Sequence, residues 1–238
     1  MKTVAIIQAR MTSTRLPGKI LADIAGKPLL YNVVSRDRQA RTVDLVVVAT
    51  TDLPTDDPTL ECCRSMDVPC FRGSEDDVLD RYYRAAEEFP AEAVVRLTAD
   101  CPLLDPRTID NVVRFFHKGG YDYVCNTMPP TYPDGLDTEV FRRESLTRAW
   151  HEARLQSERE HVTPYIWKQP GLFRIGNVAN DADYSKLRWT VDEPADLEFV
   201  RHVYAHFGAT VRFGMTEILD LLMNRPEIQA INAGFERN

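Results

Sequence analysis

The stretch DLVVVATT, residues 44–51, decides the fold. From Leu45 to Ala49 it is apolar without interruption. A strand with one wet face alternates apolar and polar residues, whereas a strand covered on both faces needs a continuous apolar run. Covered strands belong to parallel sheets held between helical layers, and the flanking sequence supplies those helices. Upstream, TVAIIQA (3–9) is a second such strand. KPLLYNVVSRDRQA (27–40) places Leu29, Leu30, Val33 and Val34 on one helical face, with Pro28 at the helix start. Downstream, VLDRYYRAAEEF (78–89) has helical period and AVVRLTAD (93–100) is a third buried strand. DPRTIDNVVRFFHKGG (105–120) is a helix with apolar Ile109, Val112, Val113 and Phe116, stopped by glycines. This alternation predicts a three-layer α/β domain around a mostly parallel sheet.

The regularity weakens after YDYVCN (121–126). Residues 128–170 carry YPDGLD and two helical patterns, ESLTRAWHEARL and REHVTPYIWKQ, and are expected to form a small inserted lobe over the sheet. LRWTVDEPADLEFVRHVYAHF (187–207) then predicts another strand, a turn and a long helix that return the chain to the main domain. Nothing resembles a linker, so residues 1–238 are expected to form one domain.

Composition narrows the function. The 238 residues are 44% hydrophobic and 27% charged, with a formal net charge of -7. An acidic chain argues against a general nucleic-acid binder, whose affinity rests on neutralising phosphates. A local basic cluster can still hold a small anion. No apolar run approaches the roughly 18 residues of a membrane span. The N-terminal TVAII is expected to be the first strand rather than part of a secretory signal. Five cysteines without a CxxC pattern are then expected to be reduced thiols in the cytoplasm.

Ligands of open α/β sheets bind beyond the carboxyl ends of the strands. Three polar clusters fall there. IIQARMTSTRLPGK (6–19) brings Arg10, Arg15 and Lys19 together with Ser13 and Thr14 and no acid. TADCPLLDP (98–106) places Asp100 after a strand, and TVDEPAD (190–196) supplies Asp192. Two carboxylates facing a basic, hydroxyl-bearing loop suit a nucleoside triphosphate with Mg2+, which takes one or two carboxylates plus phosphate oxygens and water. Arg15 would fork onto phosphate oxygens while Lys19 adds a point charge. The alternative is three solvated cations with scattered partners.

The motifs ARMTSTRLPGK, RGSEDDVLDRYYRAA, RLTADCPLLDP, YPDGLDTEVF, EREHVTPYI and LRWTVDEPADLEFV occur in one order from about Val4 to Asn232. In that order the chain resembles the sugar-acid cytidylyltransferases, which activate ketodeoxyoctonate and N-acylneuraminate. Within them it is most similar to the branch of spore-coat polysaccharide biosynthesis protein F-like proteins. The resemblance implies a nucleotide-diphospho-sugar transferase fold of glycosyltransferase-A type. It also implies transfer of CMP from CTP to a sugar acid in surface polysaccharide or glycan biosynthesis, and commonly a homodimer paired through residues 128–170. By position, Arg10, Arg15 and Lys19 would hold the triphosphate, and Asp100 and Asp192 the magnesium. Lys19, Arg15, Asp100 and Asp192 would form the catalytic set. Thr98 departs from relatives that carry a base-reading glutamine two residues before the metal aspartate.

Other residues keep two readings. Arg72 and Ser74 follow a strand end where a base or ribose would lie, but Ser74 is equally a helix cap. Arg159 and His161 would grip an acidic acceptor from the lobe, and Arg188 would fork a carboxylate of the substrate or of the protein. Asp137 is a turn residue or a sugar contact. Two other functions remain in view: a glycosyltransferase using the same carboxylates for a nucleotide-sugar donor, and a non-catalytic nucleotide-binding protein of a polysaccharide assembly pathway.

Overall fold

The computed structural model describes residues 2–208, 212–235 and 237. Along the chain run β1 (Thr3–Gln8), the two-stranded ribbon β2 (Asp23–Ile24) and β3 (Lys27–Pro28), α1 (Leu29–Asp37), β4 (Leu45–Thr51) and α2 (Asp57–Ser65). Next come β5 (Cys70–Gly73), α3 (Val78–Glu88), β6 (Ala93–Thr98), α4 (Pro106–Gly119), β7 (Tyr123–Cys125) and β8 (Glu139–Arg142). The remainder is α5 (Arg143–Glu152), α6 (Gln156–His161), α7 (Pro164–Trp167), β9 (Ile175–Asn177), α8 (Pro194–Phe207), α9 (Met215–Asn224) and α10 (Pro226–Gln229).

Seven strands form one sheet in the order β5-β4-β1-β6-β8-β7-β9. All neighbours pair in parallel except those of β8, which runs against both β6 and β7. The continuous apolar strands do what their sequence requires. On β1, Ala5 and Ile7 enter one core with α1, α4 and α8, while Val4 and Ile6 enter another with α3, α5 and α7. Successive side chains point to opposite faces, and both faces are dry. The three layers expected from the alternation are present.

Two expectations fail in instructive ways. Residues 128–170 do not lie over the sheet as a lobe of their own, because β8 inserts into the sheet between β6 and β7. The helices that follow pack on α3, where Trp150 stacks on Tyr83 at 4.2 Å between ring centroids. The Trp150 Nε1 also donates to Asp80 at 2.7 Å. Residues 187–190 are not a sheet strand either. Among the described residues their ladder contact is a bridge from Arg188 to Asp134, closed by Asp134 N to Leu187 O at 2.8 Å and Trp189 N to Asp134 O at 2.7 Å. Gly135 makes this possible. Its φ is +104°, and a Cβ there would stand 2.6 Å from Thr190 N. Only glycine allows the two backbones to approach so closely.

Candidate active site

The opening loop leaves β1 through Ala9, whose N–H donates to Ala49 O at 3.0 Å. It turns back at Gly18, at φ +71°, where Gly18 N reaches Met11 O at 2.9 Å. Below it, Met11 N donates to the buried Asp56 at 2.9 Å, which anchors the loop to the end of β4. This geometry delivers Lys19 inward and leaves Arg10 and Arg15 at the rim.

Lys19 organises the site. Its Nζ donates to Asp100 Oδ2 at 3.0 Å, Asp192 Oδ1 at 2.8 Å and Val191 O at 2.7 Å. Burial alone would lower its pKa, but the two carboxylates outweigh that and hold it above the ordinary lysine value. Reciprocally, burial would raise Asp100, and the Lys19 ammonium keeps it below the usual carboxylate range. Asp192 is more crowded with cations. Arg15 Nη2 lies 2.9 Å from its Oδ2 and Arg188 Nη2 3.3 Å. Residues 92 apart in sequence thus meet at one ammonium.

The chain has invested in placing both acids. Arg36, fully buried, donates to Leu103 O at 3.3 Å, Leu104 O at 2.8 Å and Phe213 O at 2.8 Å, clamping the loop that carries Asp100. Val191 N donates to Asp100 O at 2.8 Å, so the two acidic segments are joined by backbone. Asp196 sits fully buried in the first turn of α8. It accepts from Arg188 Nε at 3.0 Å, Asn232 Nδ2 at 2.9 Å and the backbone N–H groups of Asp192 at 3.0 Å and Glu193 at 2.9 Å. Burial opposes its ionisation, but the Arg188 fork and these donors keep its pKa low.

Gln8, Arg10, Ser13, Thr14, Arg15, Lys19, Arg81, Thr98, Asp100 and Asp192 line one cleft of about 200 Å³. It opens onto a second cavity of about 590 Å³ with which it shares Gln8, Arg10 and Arg81. His161 stands in the wall of the second, with Glu75, Asp76 and Glu160. Thr98 lies beside Cys101, Oγ1 to Sγ 3.3 Å. Of the residues singled out from sequence, the structure gathers Arg10, Ser13, Thr14, Arg15, Lys19, Thr98, Asp100, Asp192 and His161 around these two spaces.

Five others are held elsewhere. Arg72 clamps the β4–α2 connection through Thr51 O at 2.9 Å, Leu53 O at 2.7 Å and Asp57 at 2.7 Å, and it lines neither cavity. Ser74 Oγ accepts from Asp77 N at 3.0 Å, while the cap of α3 is Asp77 itself, whose carboxylate accepts from Asp80 N at 2.9 Å. Arg159 forks onto Asp77 and also donates to Trp150 O at 2.8 Å. The Arg188 fork is occupied by Asp196. Asp137 is paired with Arg237.

Sequence reasoning missed Arg81, Arg36, Asp196 and Gln8. Arg81 carried a signal: it falls within the buried stripe Val78, Leu79, Tyr82, Ala85, where a cation is out of place. It is 1% exposed, its Nε has no hydrogen-bond partner, and it forms no ion pair among the described residues. Burial, with Arg10 nearby, depresses its pKa. A buried cation without a counter-ion is costly unless a ligand completes it.

A family sequence profile described as "Cytidylyltransferase" matches residues 4–209. The spore coat polysaccharide biosynthesis protein SpsF of Bacillus subtilis (strain 168) is 34% identical over 231 residues, covering 93% of this chain and 94% of its own. A solved cytidylyltransferase from Leptospira borgpetersenii serovar Hardjo-bovis superposes with a TM-score of 0.92 at 34% identity, covering 96% of each chain. CMP:2-keto-3-deoxy-manno-octonic acid synthetase, solved with CTP, superposes with a TM-score of 0.67 at 22% identity over 87% of this chain and 100% of that one. At that identity the likeness is one of fold.

Proposed function

The chain belongs to the cytidylyltransferase family, nucleotidyltransferase enzymes of the nucleotide-diphospho-sugar transferase fold, and from that premise we propose its reaction. It transfers CMP from CTP to a hydroxyl of a sugar acid or related acidic acceptor and releases pyrophosphate, in the biosynthesis of a surface polysaccharide or glycan. The observation that carries this reading is the single ammonium of Lys19 held between Asp100 and Asp192 at the floor of a basic cleft.

The donor set fits magnesium. Asp100 and Asp192 are brought together by the shared Lys19 ammonium and line a cleft able to admit phosphate oxygens and water. Two carboxylates with phosphate oxygens and water are the coordination this ion favours. Bound to Asp100 and Asp192, magnesium would supply Lewis-acid charge at the α-phosphate. Arg15, whose side chain is 44% exposed, is the cation most able to leave Asp192 for a phosphate oxygen. Lys19 has all three donors engaged by the protein, so its part is to hold the two acids aligned. Arg10, Ser13 and Thr14 then line the path of the triphosphate.

In the transfer, the acceptor hydroxyl oxygen forms a new bond to the α-phosphorus and gives up its proton to solvent. The bond from that phosphorus to the bridging oxygen breaks, and pyrophosphate departs with it. Charge develops on phosphoryl oxygens, where fixed cations stabilise it without reorganisation. The nucleoside extends into the larger cavity, where Glu75, Asp76 and Glu160 suit ribose hydroxyls better than a carboxylate. The acceptor approaches on the side of Asp137, and His161 stands in the wall of the nucleoside cavity. Arg159 and Arg188 take part only by exchanging Asp77 and Asp196 for the ligand's carboxylate. The reading includes a cytoplasmic homodimer; no helix among the described residues is long and apolar enough to cross a membrane.

The test is Asp100→Asn, nearly isosteric. Pyrophosphate release from CTP with magnesium and a panel of sugar acids should fall at least a hundredfold while the thermal unfolding curve stays cooperative. Full turnover in that variant removes Asp100 from the mechanism.

A further inference from the structure

Gln8 is the last residue of β1, paired in register with Thr98 on β6, and its side chain reaches the seam between the two cavities. Its orientation is dictated from behind. Arg96 Nη2 donates to Gln8 Oε1 at 3.1 Å. A guanidinium has donors and no acceptor, so the amide oxygen must face it and the amide NH2 must face away. Arg96 is itself fixed by Glu139 on β8, a close ion pair in the sheet interior. The second Glu139 oxygen accepts from Tyr123 and Thr163 hydroxyls, each at 2.6 Å. Glu139 outweighs burial and keeps Arg96 charged. The amide nitrogen of Gln8 has no hydrogen-bond partner among the described residues, and it is not sealed from solvent. A buried network of four side chains therefore serves to aim two N–H donors into the seam.

We propose that Gln8 reads the nucleobase, donating from its amide to the ring N3 and O2 acceptors of cytosine. Uracil presents an N3–H donor at the same place, so a donor-only group rejects it. The site is polar and partly desolvated, where a mismatched donor pair leaves both groups unpaired. This inference rests on the proposed CTP reaction and adds the base specificity to it.

Gln8→Glu tests it most sharply. The variant keeps an oxygen for Arg96 but replaces the NH2 with an acceptor, which suits uracil better than cytosine. Calorimetric titration with CTP and with UTP, both with magnesium, reads the discrimination without requiring turnover. Wild type should prefer CTP, and the variant should lose about tenfold or more of that preference, the factor set by one hydrogen bond. Gln8→Leu, of similar size, should lose the preference without gaining UTP, and stands in should the glutamate variant misfold. An unchanged CTP:UTP ratio in folded variants overturns the assignment. So does a variant in which only the acceptor KM moves, which would place Gln8 in the acceptor site. CTP binding without nucleotidyl transfer by the wild type would sink the proposed reaction and leave the base reader standing.

Discussion

Two buried acids show how differently one residue type can be used. Asp196 is saturated with donors and stays ionised. Asp37, also fully buried, has no hydrogen-bond partner at either oxygen, and burial, only partly offset by Arg36, pushes its pKa up to about 8. A folded-state pKa above the unfolded value means the folded chain holds the proton more tightly. Its stabilising effect is present below the unfolded pKa near 4 and is lost as pH rises through about 8. The full span is on the order of 5 kcal/mol. Asp37→Asn removes the titrating group. Thermal midpoints of the variant should therefore differ less between pH 5.5 and 8.5 than those of wild type, with the gain at the alkaline end. An equal slope in both proteins would show that Asp37 ionises normally. Legibility at this scale followed type and spacing. Arg15, Lys19, Asp100 and Asp192 stood out as charges at strand ends. Gln8 did not, because its meaning depends on Arg96 and Glu139, which lie 43 residues apart and meet only through β6–β8 pairing.

Among the elements, β1, β4 and β6 were legible because burial on both faces leaves a continuous apolar run. The place of β8 was not. Four residues, EVFR, specify an extended segment but neither its partner nor its direction, which are set by α5 and by the parallel strands around it. LRWTV looks like a strand because it is buried, yet its backbone bonds go to a turn and to the Asp100 loop. That turn is the hinge of the site. Gly135→Ala forces a Cβ against Thr190 N at a backbone angle that L-residues rarely adopt. The cost should be on the order of 1–3 kcal/mol, seen in denaturant unfolding. Activity should fall further than stability, because the displaced segment carries Asp192. A variant with wild-type unfolding and turnover would mean that the close approach is not maintained in solution.

For the molecule as a whole, an acidic protein brings Arg15 and Lys19 to the cleft at the carboxyl ends of β1 and β6, where its own Asp100 and Asp192 pair with them. Trp150, which lies in the 128–170 segment expected to pair two copies, is committed to α3 within the chain. Exposed Leu155 and Leu172, next to the helices after β8, are better candidates for a contact between copies. Light scattering at micromolar concentration should give twice the 27.2 kDa chain mass. A mass near the single chain would remove the dimer from the proposal. The central claim is the bond that is made and the bond that is broken. CTP labelled at the α-phosphorus, or separately at the γ-phosphorus, is incubated with the protein, magnesium and a panel of sugar acids. The account predicts α-label in a phosphodiester to the acceptor and γ-label in pyrophosphate. No α-label in any acceptor, together with release of a nucleoside diphosphate from a nucleotide-sugar donor, would contradict it and make the protein a glycosyltransferase.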